Sequence, residues 1–392
     1  MWQGRPLSRS LRQIFLLSSA LLISAATATP LDIAWQAYLS RTTARARPTG
    51  GLQPACIPRR WVPPGNVARE GTVVLLHGFS ACPQQYDDLG PLLAARGMDV
   101  LVPLMPGHGN TRNRSMPWLN VSQCPEIICG QPDTIFDLPT TADGYKEFAK
   151  EVNALAALGS APRALSGISV GGAVAVYAGR AVDPSTGNSL YARQLIINPM
   201  LVLAQGQWLE HVLKYLAKPL LWLGWSFPCW EERKAGRGGI CTFHVGNVVA
   251  FDDFGTLASS NVSMARNASV VVLYDSGDPV VSTVAIRRLR DGLLKDAGMD
   301  STHSKTVHSC VTNFTCHSML SKWDDVGRNK WWMNELSCKV VNYLAGGIPF
   351  PLTSEKNPAE GGDKYCSLAC DAETCKFNAS EPLSCPMLSY TA

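Results

Sequence analysis

The stretch RALSGISVGGAVAVYAGR, Arg163 to Arg180, puts a serine between two glycines where a short apolar run changes into an alanine-rich one. RALSGIS reads as a buried strand and VGGAVAVYAGRAV as the helix after it. A serine on so sharp a strand-to-helix turn has strained backbone angles, and small residues at Gly167 and Gly171 give it room. The turn exposes the hydroxyl, and the helix N-terminus beside it offers free N–H groups and a partial positive charge. An ordinary glycine-rich turn is the plainer alternative. Five-residue patterns recur by chance, so the context decides.

That context repeats the same unit in both directions. GTVVLLHG, MDVLVPLMPGHG, RQLIINP, SVVVLYDSGD and KTVHSC read as short buried strands. YDDLGPLLAARG, TADGYKEFAKEVNALAALG, VSTVAIRRLRDGLLKDAG and KWWMNELSCKVVNYLAG read as helices between or after them. Such alternation predicts an α/β fold, a mainly parallel sheet with helices on both faces. Loops at the carboxyl ends of its strands gather into one crevice. The core would occupy residues 71–199 and 258–346, with a lead-in over 29–70 and a cysteine-rich tail over 347–392. A loop insertion runs from Arg112 to Pro139. A longer one, residues 200–257, carries Trp208, Trp222, Trp225 and Trp230.

The first 28 residues read as a secretory signal. Arg5, Arg9 and Arg12 form the charged region, IFLLSSALLISAA the apolar one, and ATATP the cleavage region, with cleavage after Ala28. The apolar run falls short of the roughly 20 residues a membrane span needs, and an uncleaved anchor is the plainer alternative. These three arginines supply most of the formal +4 charge, so no basic tract points to nucleic acid. All thirteen cysteines lie downstream of the signal. In an exported chain they imply disulfides, with at least one cysteine left over. Cys124/Cys129 and Cys310/Cys316 are plausible small loops. The tail set Cys366, Cys370, Cys375 and Cys385 lacks paired zinc knuckles, which favours disulfides there too. Six N-x-S/T sequons begin at Asn113, Asn120, Asn261, Asn267, Asn313 and Asn378, as suits an exported glycoprotein.

A serine hydroxyl needs a base to become nucleophilic, and the base needs a carboxylate to hold it. With Ser169 as nucleophile, the chain order to seek is an acid and then a histidine. Asp278, just past SVVVLYDSGD, is the expected acid. Asp275 reads as a turn residue, and Asp252 or Asp253 is a weaker choice. Among the later histidines, His303 precedes its strand and His308 lies within it. His317, in CHSML, lies in the loop after the strand and fits a base that folds over the crevice. The Cys310/Cys316 loop would brace it. An oxyanion formed at the site needs preorganised donors. These are expected to be the N–H of Val170 and the N–H of Phe79, the latter in a loop shaped by His77 and Gly78. His108, in PGHG, reads as a residue that ties down a loop.

Taken together, LLHGFSACPQQYDDLGPLLAARGMDVLVPLMPGHG, LSGISVGGAVA, DSGDPVV and CHSML resemble the α/β-hydrolase superfamily, in its monoacylglycerol lipase and carboxylesterase-like branch. The resemblance covers roughly Gly71 to Leu344. It implies that residues 200–257 form a cap over the site. Its tryptophans would line an acyl groove, touch a lipid surface, or form the cap's own small core. The expected activity is that of a secreted serine hydrolase cleaving small-molecule or lipid esters through an acyl-enzyme, with no metal or organic cofactor. A thioesterase or peptidase shares the machinery. A binding protein on an idle hydrolase fold is the third reading.

Overall fold

The computed structural model describes residues 28–46, 51–109, 138–204, 226–228, 242–260, 262–263, 265–299, 305–312, 314, 317–320, 330, 332–357, 363–368 and 385. The proposed signal, the Arg112–Pro139 insertion, the four cap tryptophans, His303, Cys124, Cys129 and Cys316 lie outside the described residues, or almost wholly so.

The strands are β1 (Arg59–Trp61), β2 (Gly71–Leu76), β3 (Met98–Val102), β4 (Arg163–Ile168), β5 (Arg193–Ile197), β6 (Ser226–Pro228), β7 (Thr242–His244), β8 (Ser269–Asp275), β9 (Thr306–Thr312), β10 (Leu352–Asn357) and β11 (Asp363–Cys366). The helices are α1 (Pro30–Ala46), α2 (Leu89–Ala94), α3 (Ala142–Ala157), α4 (Val170–Ala178), α5 (Val245–Ser260), α6 (Thr283–Met299) and α7 (Met333–Gly346). Nine strands form one sheet in the order β1-β3-β2-β4-β5-β8-β9-β11-β10, and β6 and β7 pair as a separate hairpin. From β3 to β11 every pairing in the large sheet is parallel, and the two edge strands run antiparallel.

Alternate residues of each strand enter two cores. Val74 and Leu76 join α1, α3, α4, α5 and α6 on one face, and Val73 and Leu75 join α2 and α7 on the other. Strands covered on both sides lose the polar alternation of a half-exposed sheet, which is why GTVVLL is apolar throughout. Helix α4 is apolar on nearly every side because it is buried on nearly every side. From β2 the chain crosses one way to β3 and the other way to β4. The order therefore reverses between β2 and β4, and the crevice lies past their carboxyl ends.

Three features go beyond the sequence expectation. The lead-in is built into the fold. Helix α1 buries Trp35 and Tyr38, and Arg60 of β1 clamps Asp99 of β3 with two bonds of 2.8 and 2.7 Å while reaching Asp32 at 2.8 Å. The end of the 200–257 segment is also core. Helix α5 puts Phe251 and Phe254 into the main cluster, so the stretch available to cover the site is shorter than expected. The tail also joins the fold, since β11 and β10 extend the sheet beyond β9, the KTVHSC strand.

The cysteine expectation needs correction. Cys310 pairs with Cys366, not with Cys316, because β11 lies beside β9 and sets the two side chains against each other. Cys56 pairs with Cys82, and Cys338 with Cys385. Two of the four tail cysteines are thus in disulfides. No helix among the described residues is long and apolar enough to cross a membrane.

One contact of α1 carries a measurable consequence. The Tyr38 hydroxyl accepts from the Leu104 N–H and donates to the Leu104 carbonyl, each at 3.0 Å. Removing it strands both backbone groups in a buried setting. Tyr38→Phe is expected to lower unfolding free energy by about 1–3 kcal/mol, read from urea denaturation monitored by circular dichroism.

Candidate active site

Ser169 follows β4 directly and caps α4 with φ 58° and ψ −124°, a left-handed backbone that few residues other than glycine adopt. Its surroundings leave no space for larger neighbours. A Cβ on Gly167 would lie 2.1 Å from the Gly171 carbonyl oxygen, and one on Gly171 would lie 2.3 Å from that of Leu76. The elbow is held by its backbone as well. Ser169 N–H donates to Ile197 O at 3.1 Å, and Ser169 O accepts from Met200 N–H at 2.9 Å and Ala173 N–H at 3.1 Å.

The loop after β2 closes on this elbow. A methyl on Gly78 would lie 3.6 Å from the Ser169 Cβ. His77 is fully buried. Its Nε2 accepts from Met105 N–H at 3.0 Å and its Nδ1 donates to Gly78 O at 2.9 Å, which fixes the tautomer. His108 Nε2 bonds the Phe79 carbonyl, and its Nδ1 lies 3.1 Å from Pro106 O. Both histidines therefore join the β2 and β3 loops. The Phe79 ring stacks edge-on to His108 and to Phe251 of α5. Val170 is the first residue of α4, where an N–H has no acceptor within its own helix.

Asp278 and His317 meet on the other side. His317 Nδ1 lies 2.7 Å from Asp278 Oδ2, with both residues buried. Asp278 Oδ1 accepts from Val280 N–H at 2.7 Å and Val281 N–H at 3.1 Å, so the carboxylate is oriented before any substrate arrives. With Nδ1–H turned to Asp278, the neutral ring keeps Nε2 as its basic nitrogen.

Asp275, the other acid weighed, has a different job. It accepts from Gly277 N–H at 2.8 Å, Phe314 N–H at 2.6 Å and the Thr312 hydroxyl at 2.8 Å, locking the end of β8 to the start of the histidine loop. Burial, reinforced by the charge of Asp278, raises its carboxyl above the ordinary range. His308 sits on β9 as a partly exposed strand residue, and Asp252 is buried on α5.

Several supporting residues belong to no sequence motif. Asn198, at φ 38°, donates to His317 O at 2.8 Å and accepts from Asp275 N–H at 2.8 Å. Lys330 donates to Ser318 O and the Trp332 indole to Met319 O, both at 3.2 Å. Trp332 also stacks on Phe314, with ring centroids 4.0 Å apart. An asparagine just past a strand was the one available hint, since asparagine tolerates left-handed backbone. Among the described residues, no three His, Cys, Asp or Glu side chains are grouped as a metal would require.

Residues 73–304 match the model of the alpha/beta hydrolase family. No curated protein is similar in sequence. Among solved structures, one of two metagenome-derived lipolytic enzymes, LipS and LipT, superposes with a TM-score of 0.50 at 16% identity, over 75% of this chain and 98% of its own. The monoacylglycerol lipase of Paleococcus ferrophilus covers 74% of this chain and 98% of its own, with a TM-score of 0.49 and 14% identity. A soluble variant of the monoglyceride lipase of Saccharomyces cerevisiae covers 73% and 90%, with a TM-score of 0.47 and 14% identity. At such identities the likeness is one of fold alone.

The buried histidines set an acid limit on stability. Burial, with the neighbouring His108, holds His77 down to about 3 from its ordinary 6.5, and burial lowers His108 as well. Between those two values the unfolded chain takes up protons that the folded one refuses, so stability is full above 6.5 and falls as the pH drops toward 3. A thermal midpoint that declines with acid over this window is expected. His77→Gln is expected to flatten the decline, even though it lowers the midpoint at neutral pH. An equal slope in the two proteins would show that His77 carries no such linkage.

Proposed function

We propose that this chain, which belongs to the alpha/beta hydrolase family, is a serine hydrolase that cleaves carboxylic esters through an acyl-enzyme. The single observation carrying the reading is the 2.7 Å contact of His317 Nδ1 with the doubly anchored Asp278; the strained backbone of Ser169 supports it. Ser169 is the nucleophile, His317 the base and Asp278 the residue that orients it.

His317 Nε2 removes the Ser169 hydroxyl proton as Oγ attacks the acyl carbon. The carbonyl π electrons pass to oxygen, where the Val170 and Phe79 N–H groups stabilise the charge; one such donor is worth about 10²–10³-fold in rate. As the tetrahedral centre collapses, His317 gives its proton to the departing alcohol oxygen and the acyl group stays on Oγ. Water then repeats the sequence, losing a proton to His317 and releasing the acid when that proton returns to Oγ. Asp278 stays ionised throughout and stabilises the imidazolium in each half. The steps need no group from outside the chain except substrate and water.

Export through the secretory pathway accompanies this reading. Its support is the signal-like N-terminus together with three disulfides, which persist in oxidising compartments. Of the sequons, Asn267 is described, exposed and in the turn before β8, at the amino end of that strand and away from the carboxyl ends that form the crevice, so a glycan there leaves the site open. A lipid ester is the favoured substrate, supported by the tryptophan-rich composition of the 200–257 segment.

A ladder of chromogenic esters of increasing acyl length tests the proposal. Wild type is expected to turn over, Ser169→Ala to lose roughly 10⁴-fold or more in kcat/KM, and Asp278→Asn about 10³–10⁴-fold. Longer chains are expected to react faster. A folded wild type inert on every ester would sink the ester reading, and turnover unaffected by Ser169→Ala would sink the assignment of the nucleophile.

A further inference from the structure

We propose that Asn198 is a positioning residue that couples the base to the acid-bearing strand and to the nucleophile elbow. This rests on the assignment of Ser169, Asp278 and His317 above. Asn198 is completely buried directly after β5. Its amide oxygen accepts from Asp275 N–H at 2.8 Å, at the last residue of β8 and three residues before the acid. Its amide nitrogen donates to His317 O at 2.8 Å. Its own N–H donates to Leu273 O at 2.9 Å. The residues on either side grip Ser169, through Ile197 O at 3.1 Å and Met200 N–H at 2.9 Å. Asn198 itself therefore joins β8 to the histidine loop, and its near neighbours in the chain, Ile197 and Met200, hold the nucleophile elbow.

The choice of asparagine follows from these demands. The position needs one donor and one acceptor on the same short planar group, together with tolerance of φ 38°. Aspartate supplies two acceptors when ionised and a donor only when protonated. Glycine accepts the backbone angle but offers neither bond. Without the amide N–H, the His317 carbonyl loses its tether, and the ring can drift relative to Ser169 while Asp278 still holds Nδ1. A displacement on the order of 1 Å at a reacting group costs about 100-fold in rate. The titratable groups joined to position 198 in this network are Asp275, Asp278 and His317, with Lys330 bonded to the next carbonyl at Ser318.

The test compares wild type, Asn198→Asp, Asn198→Gly and Ser169→Ala by fluorophosphonate labelling, circular dichroism, and kcat and KM on a short-chain p-nitrophenyl ester across a pH series. Asn198→Gly is expected to lose about 10–100-fold in kcat at every pH, with KM nearly unchanged. Asn198→Asp is expected to approach wild type at the acidic end, where the introduced carboxyl is protonated and still donates. Its kcat relative to wild type should then fall as pH rises and that proton is lost. A residue that only stabilises the fold would not give this pH-dependent ratio. Wild-type kcat in both variants, a loss confined to KM, or an Asn198→Asp kcat ratio that does not change with pH while the protein stays folded would overturn the positioning role while leaving the hydrolase reading intact. Absence of Ser169-dependent labelling in wild type would overturn the hydrolase reading itself, and the role of Asn198 with it.

Discussion

The left-handed backbone at Ser169 is the constraint around which the crevice is arranged. A bulkier non-glycine residue at φ 58° costs on the order of 1–3 kcal/mol and persists only where its surroundings over-determine it. Three backbone bonds from Ser169 to Ile197, Met200 and Ala173 do so here, on an elbow packed between β2, β5 and a buried helix. Glycine at 167 and 171 avoids the 2.1 and 2.3 Å contacts that a Cβ at either position would make with the backbone. Every other part of the site is placed relative to that fixed point: the β2 loop approaches it from one side and the 197–200 turn from the other.

The two loops are stabilised by different means. The β2 loop is pinned through buried imidazoles, neutral because burial disfavours their charge, and each ties it to the loop after β3. The histidine loop is pinned from below by amide, ammonium and indole donors that reach successive carbonyls at His317, Ser318 and Met319. Donors of this kind fix a backbone without adding a second base near the ring. Asp275 completes the arrangement by accepting the Phe314 N–H where that loop leaves β9.

Most of the core was legible in the sequence, because a parallel sheet covered on both faces writes continuous apolar runs separated by amphipathic helices. The G-x-S-x-G turn stood out for a steric reason that any reader of sequence can apply. Other parts carried no such signature. Cys316 looked like the natural partner of Cys310 because it is near in sequence, yet β11 returns from more than fifty residues away to lie beside β9. The tail strands LTSEKN and DKYC are polar and short, so neither shows the apolar run that marks the central strands. Helix α5 was hidden inside a segment expected to be cap, and its aromatic residues serve the core. Asn198 was silent because its role depends on two carbonyl and amide partners from distant strands, which no local pattern records.

The portions outside the family match converge on the same two loops. Residues before position 73 supply Tyr38, which pairs both backbone groups of Leu104, and Cys56, which is bonded to Cys82 just beyond the Phe79 loop. Leu104 begins the run that ends in His108, and His108 holds the Phe79 carbonyl. Residues after position 304 supply Cys366, which bonds β11 to Cys310 of β9, immediately ahead of the histidine loop. Closing a loop of 56 residues in this way removes about 4 kcal/mol of chain entropy from the unfolded state. The N-terminal helix and the C-terminal strands thus restrain the strand ends on which the crevice depends, one at each side. Chain length added far from the elbow in sequence is spent next to it in space.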